Sequence, residues 1–239
     1  MNILCVDSGN TRIKWGLHDG ARWTALGAAG HEEVDRLERE WGTLGAPDVV
    51  AAANVAGAHA QARIAAGASR WQCDVRWLQA AATACGVRNL YDAPEQLGVD
   101  RWAAVVAARA LHSSACLVVI AGTATTLNIV AADGAFRGGA IIPGVALMKR
   151  ALAVNTAKLP FAEGSYREEP RNTADAIESG CLEAEAGAIE RMLRRLGPDA
   201  ACVVSGGFAG ALLPLLDVRA QYVEHLVLDG VRLLGSAAR

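Results

Sequence analysis

Short apolar runs alternating with helical stretches, and one pattern that occurs twice, predict an α/β chain of two halves related by duplication. The pattern first reads Ile3-Leu4-Cys5-Val6-Asp7-Ser8-Gly9-Asn10-Thr11-Arg12-Ile13-Lys14, then apolar residues, then Asp19-Gly20. It recurs 113 residues later as Leu117-Val118-Val119-Ile120-Ala121-Gly122-Thr123-Ala124-Thr125-Thr126, apolar residues, and Asp133-Gly134. Each copy is an apolar strand, a turn of small and hydroxyl residues, a second strand and an Asp-Gly hairpin signal. A chain of 239 residues can form one large domain or two small ones. The duplication favours two, residues 1–114 and 115–239 with the boundary near Ser113-Ser114, gripping a ligand in a cleft between them.

The elements follow in order. Residues 3–7 and 12–18 read as strands around the first turn. In 31–42, Val34, Leu37 and Trp41 put a narrow apolar stripe on an otherwise charged helix. A short buried strand at 48–53, an Ala-rich helix at 57–67 and a strand at 75–78 come next. Residues 85–97 read as a loop with Tyr91, Asp92 and Pro94, and a strong helix follows at 99–112. The second half restarts with strands at 116–121, 126–132 and 136–141, then Pro143-Gly144 and a helix at 144–153. Pro160, Gly164 and Pro170 make 158–171 an irregular loop. A helix at 173–196, a strand from Ala201 ending in the turn Ser205-Gly206-Gly207, and a last apolar strand and helix over 221–238 complete the chain.

The formal net charge of −2 offers no general nucleic-acid or membrane surface. The scattered Trp and Tyr residues lack a basic stripe for stacking single strands. No two of the six cysteines stand at C-x-x-C spacing, and Cys5, Cys116 and Cys202 lie in or beside apolar runs, as small hydrophobes do. That usage fits a reducing cytosol, and the five histidines show no paired zinc spacing. The start lacks a basic n-region, and no apolar run is long enough for a bilayer. These features predict a cytoplasmic protein.

The first turn has phosphate-binding chemistry. Gly9 permits close approach of an anion or a positive φ. Backbone amides with the Asn10 and Thr11 side chains can donate to phosphate oxygens, and Lys14 adds a cation. Asp7 ends an apolar strand, where a carboxylate is costly unless it binds something. A divalent cation carried with a nucleotide suits it, since Mg²⁺ takes one or two carboxylates plus phosphate oxygens. The same residues also suit a plain hairpin turn, and neither a Walker loop nor a dinucleotide fingerprint is present.

Together, these segments resemble the type III pantothenate kinases, of the superfamily that includes acetate and sugar kinases, heat-shock chaperones and actin. The residues Asp7 to Lys14 resemble the first phosphate motif. Leu97-Gly98-Val99-Asp100-Arg101-Trp102 resembles the substrate and catalytic motif, Gly122-Thr123-Ala124-Thr125-Thr126 the second phosphate motif, and Asn172-Thr173-Ala174-Asp175-Ala176-Ile177 the late substrate motif. The order is right and nearly the whole chain is covered. The resemblance implies two ribonuclease-H-like domains of the actin-like ATPase kind. It implies ATP-dependent phosphorylation of pantothenate to 4′-phosphopantothenate, the first step of coenzyme A synthesis, by a homodimer. It implies that Asp7, Ser8, Gly9, Asn10, Thr11, Arg12, Ile13 and Lys14, with Gly122 and Thr123, hold ATP, and that Asp7 meets Mg²⁺. Tyr91, Gly98, Val99, Asp100, Arg101 and Thr173 would contact pantothenate, with Asp100 as catalytic base and Arg101 on the carboxylate. Asp100 also reads as a helix N-cap, Arg101 as a surface ion pair, and Thr173 as an N-cap.

The chain departs from the family pattern at two positions. Ile120 stands where the family has an Asp that ligates a monovalent cation, and Asn128 where a second acid often stands. Both losses argue against a potassium site. They leave open, as the alternative, a non-catalytic accessory regulator of transcription from the same family.

Overall fold

The computed structural model describes residues 1–156, 159, 161 and 163–237, with the side chain of Val34 left out. Pro160 of the predicted loop and residue 238 of the predicted closing segment lie outside the described residues. Two compact units emerge. The first comprises Met1–Leu111, Gly134–Phe136 and His225–Arg239; the second comprises His112–Asp133 and Arg137–Glu224. Residues 225–237, grouped by sequence with the second half, thus pack in the first unit.

Strands β1 (Ile3–Ser8) and β2 (Arg12–His18) form the predicted hairpin, with Asp7 opposite Lys14 and Ser8 opposite Ile13. A further strand, β3 (Trp23–Gly30), pairs antiparallel with β2. Its small residues hide the alternation that would mark a strand in sequence. They are small for a reason: the Trp15 indole lies where a side chain on Gly27 would go, 2.5 Å from a Cβ there. Helix α1 (Val34–Gly42) buries Leu37 and Trp41, and starts three residues later than its charged sequence suggests. Strand β4 (Val49–Asn54), helix α2 (Ala58–Ala68) and strand β5 (Val75–Trp77) follow. The predicted loop at 85–97 contains structure: β7 (Val87–Asn89) pairs with β6 (Thr83–Ala84) and with Ala135 and Phe136. Helix α3 (Val99–Leu111) closes this stretch.

The second half of the chain opens with the hairpin β8 (Cys116–Ala121) and β9 (Ala124–Val130), followed by β10 (Ala135–Pro143), whose first two residues belong to the first unit, and α4 (Val145–Asn155). Helix α5 (Thr173–Leu196) matches its predicted span. The Asn172 carbonyl oxygen of the side chain caps it by accepting from the Asp175 amide, and Gly197 ends it at φ +95°. Then come β11 (Ala201–Ser205), α6 (Ala209–Leu212), a two-residue strand β12 (Gln221–Tyr222) and α7 (Leu226–Ser236).

The duplication is written in the topology. The first sheet runs β3-β2-β1-β4-β5 and the second contains β10-β9-β8-β11-β12. Each is the order third, second, first, fourth, fifth within its own half. In each, the fourth strand is parallel to the first and the fifth to the fourth.

Strand β1 is buried on both faces, as a central strand should be. Leu4 and Val6 join Ile13, Trp15, Leu37, Trp41 and Ile64 in one core. Ile3 and Cys5 face the other way, with Val99 and Ala103 of α3 and Leu228 and Val231 of α7. Side chains alternate along a strand, so Asp7 falls on the second face, the one that carries α3. Helix α7 comes close because it is notched: a Cβ on Gly230 would stand 1.9 Å from the Ala103 carbonyl oxygen. In the second unit, Leu117, Val119, Leu127, Leu182, Ile189, Val204 and Leu212 form the core. All six cysteines are free. Burial pushes the thiol of Cys116 up to about 12 and that of Cys202 up to about 11, which keeps them inert.

Candidate active site

The end of β1 and the start of α3 bring the acidic residues together. Asp7 is 9% exposed, and burial raises its pKa to about 7. Lys14, directly across the ladder and therefore on the same face, lowers it, while Asp100 raises it. The two carboxylates are thus close enough for their charges to interact. Asp100 is half-buried in the first turn of α3, where the macrodipole favours an anion. It is not the cap residue. The Trp102 amide donates to the Gly98 carbonyl, so the helix begins at Gly98, and Asp100 Oδ1 accepts from the next amide, Arg101, at 2.8 Å. Gly98 leaves room for this: a Cβ there would come within 2.6 Å of Asp100 Oδ1.

Arg101 is buried rather than paired on the surface. Its Nη1 donates to the Tyr91 hydroxyl at 2.8 Å, and its guanidinium lies 5.7 Å from the Tyr91 ring centre and 6.0 Å from that of Phe136. Tyr91 and Phe136 stack with centroids 5.5 Å apart. Tyr91 is held by Asn89, whose Oδ1 accepts the Tyr91 amide while its Nδ2 donates to the Pro94 carbonyl. An Asn two residues before a turn amide is a readable signal for Asn89. Phe136 has none, because it arrives from a distant part of the chain.

The turn between β1 and β2 is closed by the Gly9 amide on the Arg12 carbonyl at 3.1 Å. Asn10, Thr11, Arg12 and Lys14 are exposed around it. Gly9 is not in the left-handed region, and a Cβ there would meet nothing nearer than 3.7 Å, so the fold itself does not require glycine. Ser8, Ile13 and Val99 are buried, Ile13 and Val99 with their side chains in the cores. The side chains of these three are closed to a ligand.

The second turn is hemmed in by glycines. The Gly144 amide donates to the Thr123 carbonyl at 3.0 Å, and a Cβ on Gly144 would stand 2.2 Å from the Gly122 oxygen. Gly206, at φ +103°, passes as closely to the Ala121 carbonyl, which accepts the Phe208 amide. Thr123 is exposed. Beneath the turn, Thr125 donates to Glu185 on α5 at 2.8 Å, with the carboxylate fully buried. Burial raises the Glu185 pKa, against hydrogen bonds from Thr125 and the Val145 amide. Glu185 carries no sequence signal, since it sits mid-helix among residues that face solvent and core alike. Thr173 is the first residue of α5, exposed, and the cap beside it is Asn172. Thr173 lines a cavity of about 1040 Å³ with Met148, Leu152, Ile177 and Cys181.

The profile of the type III pantothenate kinases matches residues 3–195. The chain belongs to that family. The type III pantothenate kinase of Aromatoleum aromaticum is 53% identical, over 96% of both chains. That of Dechloromonas aromatica is 50% identical, over 96% of this chain and 97% of its own. Two solved structures are similar in fold alone. A chain from Campylobacter jejuni assigned to the Baf family of transcriptional activators has a TM-score of 0.61 at 19% identity, covering 96% of this chain and 95% of that one. A glucokinase from an Antarctic psychrotroph has a TM-score of 0.52 at 11% identity, covering 98% of each. Within a type III pantothenate kinase, the surroundings of Ile120 and Asn128 acquire meaning. Asn128 is buried and donates to the Val118 carbonyl and to Thr126 Oγ1. Its amide group thus serves the strand pair, and neither position brings a carboxylate to the second turn.

Proposed function

We propose that the chain moves the terminal phosphoryl group of ATP to the primary hydroxyl of pantothenate, with Asp100 as the base. As a type III pantothenate kinase it phosphorylates pantothenate in coenzyme A biosynthesis. One P–O bond forms to the pantothenate oxygen as the P–O bond to ADP breaks, and the hydroxyl proton passes to Asp100. A carboxylate at a helix start is a weak base. That suffices in a loose transition state, where the hydroxyl is oriented first and loses its proton late. Arg101, fixed by Tyr91 and Phe136, presents its planar fork to the pantothenate carboxylate. The turns Asp7–Lys14 and Gly122–Thr123 hold the ATP phosphates through their amides, Thr123 and Lys14. The observation that carries this reading is the grouping of Asp7, Lys14 and Asp100 on the α3 side of the first sheet, with Arg101 the next residue of α3.

A divalent cation fits Asp7. The carboxylate is buried beside a second one, so a cation there offsets both desolvation and repulsion. Among the described residues no cluster of three or more His, Cys, Asp or Glu could hold a metal alone, which suits Mg²⁺ that arrives with ATP and keeps its waters. When bound, Mg²⁺ neutralises charge on the transferring phosphoryl group. With Ile120 and Asn128 in place of acids, turnover is independent of potassium.

The active species in this reading is a cytoplasmic homodimer. Supporting the dimer, Ile141, Leu147, Val154 and Phe161 of the second unit expose large apolar side chains that a partner surface could cover. No described helix is long and apolar enough to cross a membrane. The regulator reading has no observation in its favour, because the likeness to the Campylobacter chain is one of fold.

Asp100→Asn tests the mechanism. Turnover falls by about 10²–10⁴-fold, the usual contribution of a general base, while ATP affinity and folding are kept. A near-normal rate overturns the role of Asp100.

A further inference from the structure

In a trans peptide the carbonyl and the following N–H point in opposite directions, so whatever holds the carbonyl aims the amide. The chain has no cis peptide among the described residues. In the second turn this is done by backbone. The Phe208 amide holds the Ala121 carbonyl and the Gly144 amide holds the Thr123 carbonyl, so the amides of Gly122 and Ala124 face the other way.

The first turn uses a side chain instead. His31 Nε2 stands 2.7 Å from the Gly9 carbonyl oxygen. A carbonyl only accepts, so Nε2 carries the hydrogen. Both the neutral Nε2–H tautomer and the imidazolium can therefore make this bond. The ladder explains the placement: Gly30 pairs with Arg12 at the end of β3, and His31 leaves the sheet beside the turn. Its backbone is anchored in turn, because Arg63 of α2 donates to the His31 carbonyl.

We infer that His31 is a positioning residue for the phosphate turn: it holds the Gly9 carbonyl back and so turns the exposed Asn10 amide toward the ligand. The Gly9 amide is already committed to the Arg12 carbonyl, and the Gly9–Asn10 peptide is steered from outside the turn by His31. Without the imidazole that peptide can rotate and aim a carbonyl at the phosphates. The separation of 22 residues between His31 and Gly9 hides His31 from the motif.

The inference rests on the turn binding ATP, and two variants test it. His31→Phe keeps the ring and loses the donor; His31→Gln places an amide N–H where Nε2 was. Loss of one hydrogen bond of about 1 kcal/mol is about fivefold. We expect His31→Phe to raise both KM for ATP and the directly measured Kd for ATP about 5–10-fold, leaving KM for pantothenate within twofold. His31→Gln returns the ATP values to within about twofold of the parent. Should the Phe variant not fold, His31→Ala makes the same comparison. Unchanged ATP affinity in the donor-free variant, equal rises in both KM values, or no rescue by Gln would each overturn the role. A parent protein that binds ATP but does not phosphorylate pantothenate sinks the kinase reading instead, and the ATP-binding comparison still decides His31.

Discussion

Asp7 shares a face with Asp100, and its burial sets how it behaves with pH. In the unfolded chain Asp7 ionises near 4; in the folded protein burial holds its proton to about 7. Across that window the folded state binds the extra proton, so stability falls as pH rises from about 4 to 7. Asp7→Asn removes this loss. Thermal melts should show the variant close to the parent at pH 4 and more stable by about 5 °C or more at pH 8, at the expense of Mg-ATP affinity; a variant less stable at pH 8 contradicts the burial argument. Arg101→Lys keeps the charge but loses the fork and the stacking. KM for pantothenate should rise about tenfold or more with KM for ATP unchanged, and a change in ATP alone would remove Arg101 from the acceptor site. The motif was legible at this scale, since the identities of Asp7, Lys14, Asp100 and Arg101 are local. Phe136, His31 and Glu185 were not, because each gains its role from a contact far along the chain, whereas Asn89 acts on neighbours two and five residues on.

At the scale of elements, glycine notches govern how close the helices come. Gly230→Ala would push a Cβ into the Ala103 backbone, where neither helix has a flexible atom to give way. A loss of about 1–3 kcal/mol follows, the usual cost of overpacking, read as a lower denaturant midpoint with little change in KM for either substrate. A neutral outcome would mean that α7 does not sit on α3 as described. Helix α5 was legible in its span, but its cap is Asn172 rather than Thr173, one residue earlier, and Gly197 ends it. Strand β3 was not: its small residues are set by Trp15 from the neighbouring strand, which a single window of sequence does not contain. The short strands β6 and β7 were hidden likewise, since β7 pairs with residues 135 and 136.

Across the whole molecule, the twin turns carry the account. The same strand order in each half explains why two glycine turns with hydroxyls recur, and why neighbouring backbone or a side chain must hold each turn's carbonyls. The return of α7 to the first unit shows where reading by halves stops working: the last helix buries Leu228 and Val231 against β1 and α3, and its apolar stripe alone names no partner. At this scale the predicted homodimer is checked by light scattering, with twice the chain mass expected and loss of the dimer expected when Val154 and Phe161 are both changed to Asp.

The central claim is best tested by incubating the purified protein with Mg-ATP and pantothenate, without potassium, and following both ADP release and the mass of the product. The account predicts one ADP per pantothenate converted to its singly phosphorylated form, no stimulation by added potassium, and near-complete loss of both signals in Asp100→Asn. ADP release that does not depend on pantothenate, or no phosphorylated product from folded, ATP-binding protein, would contradict it.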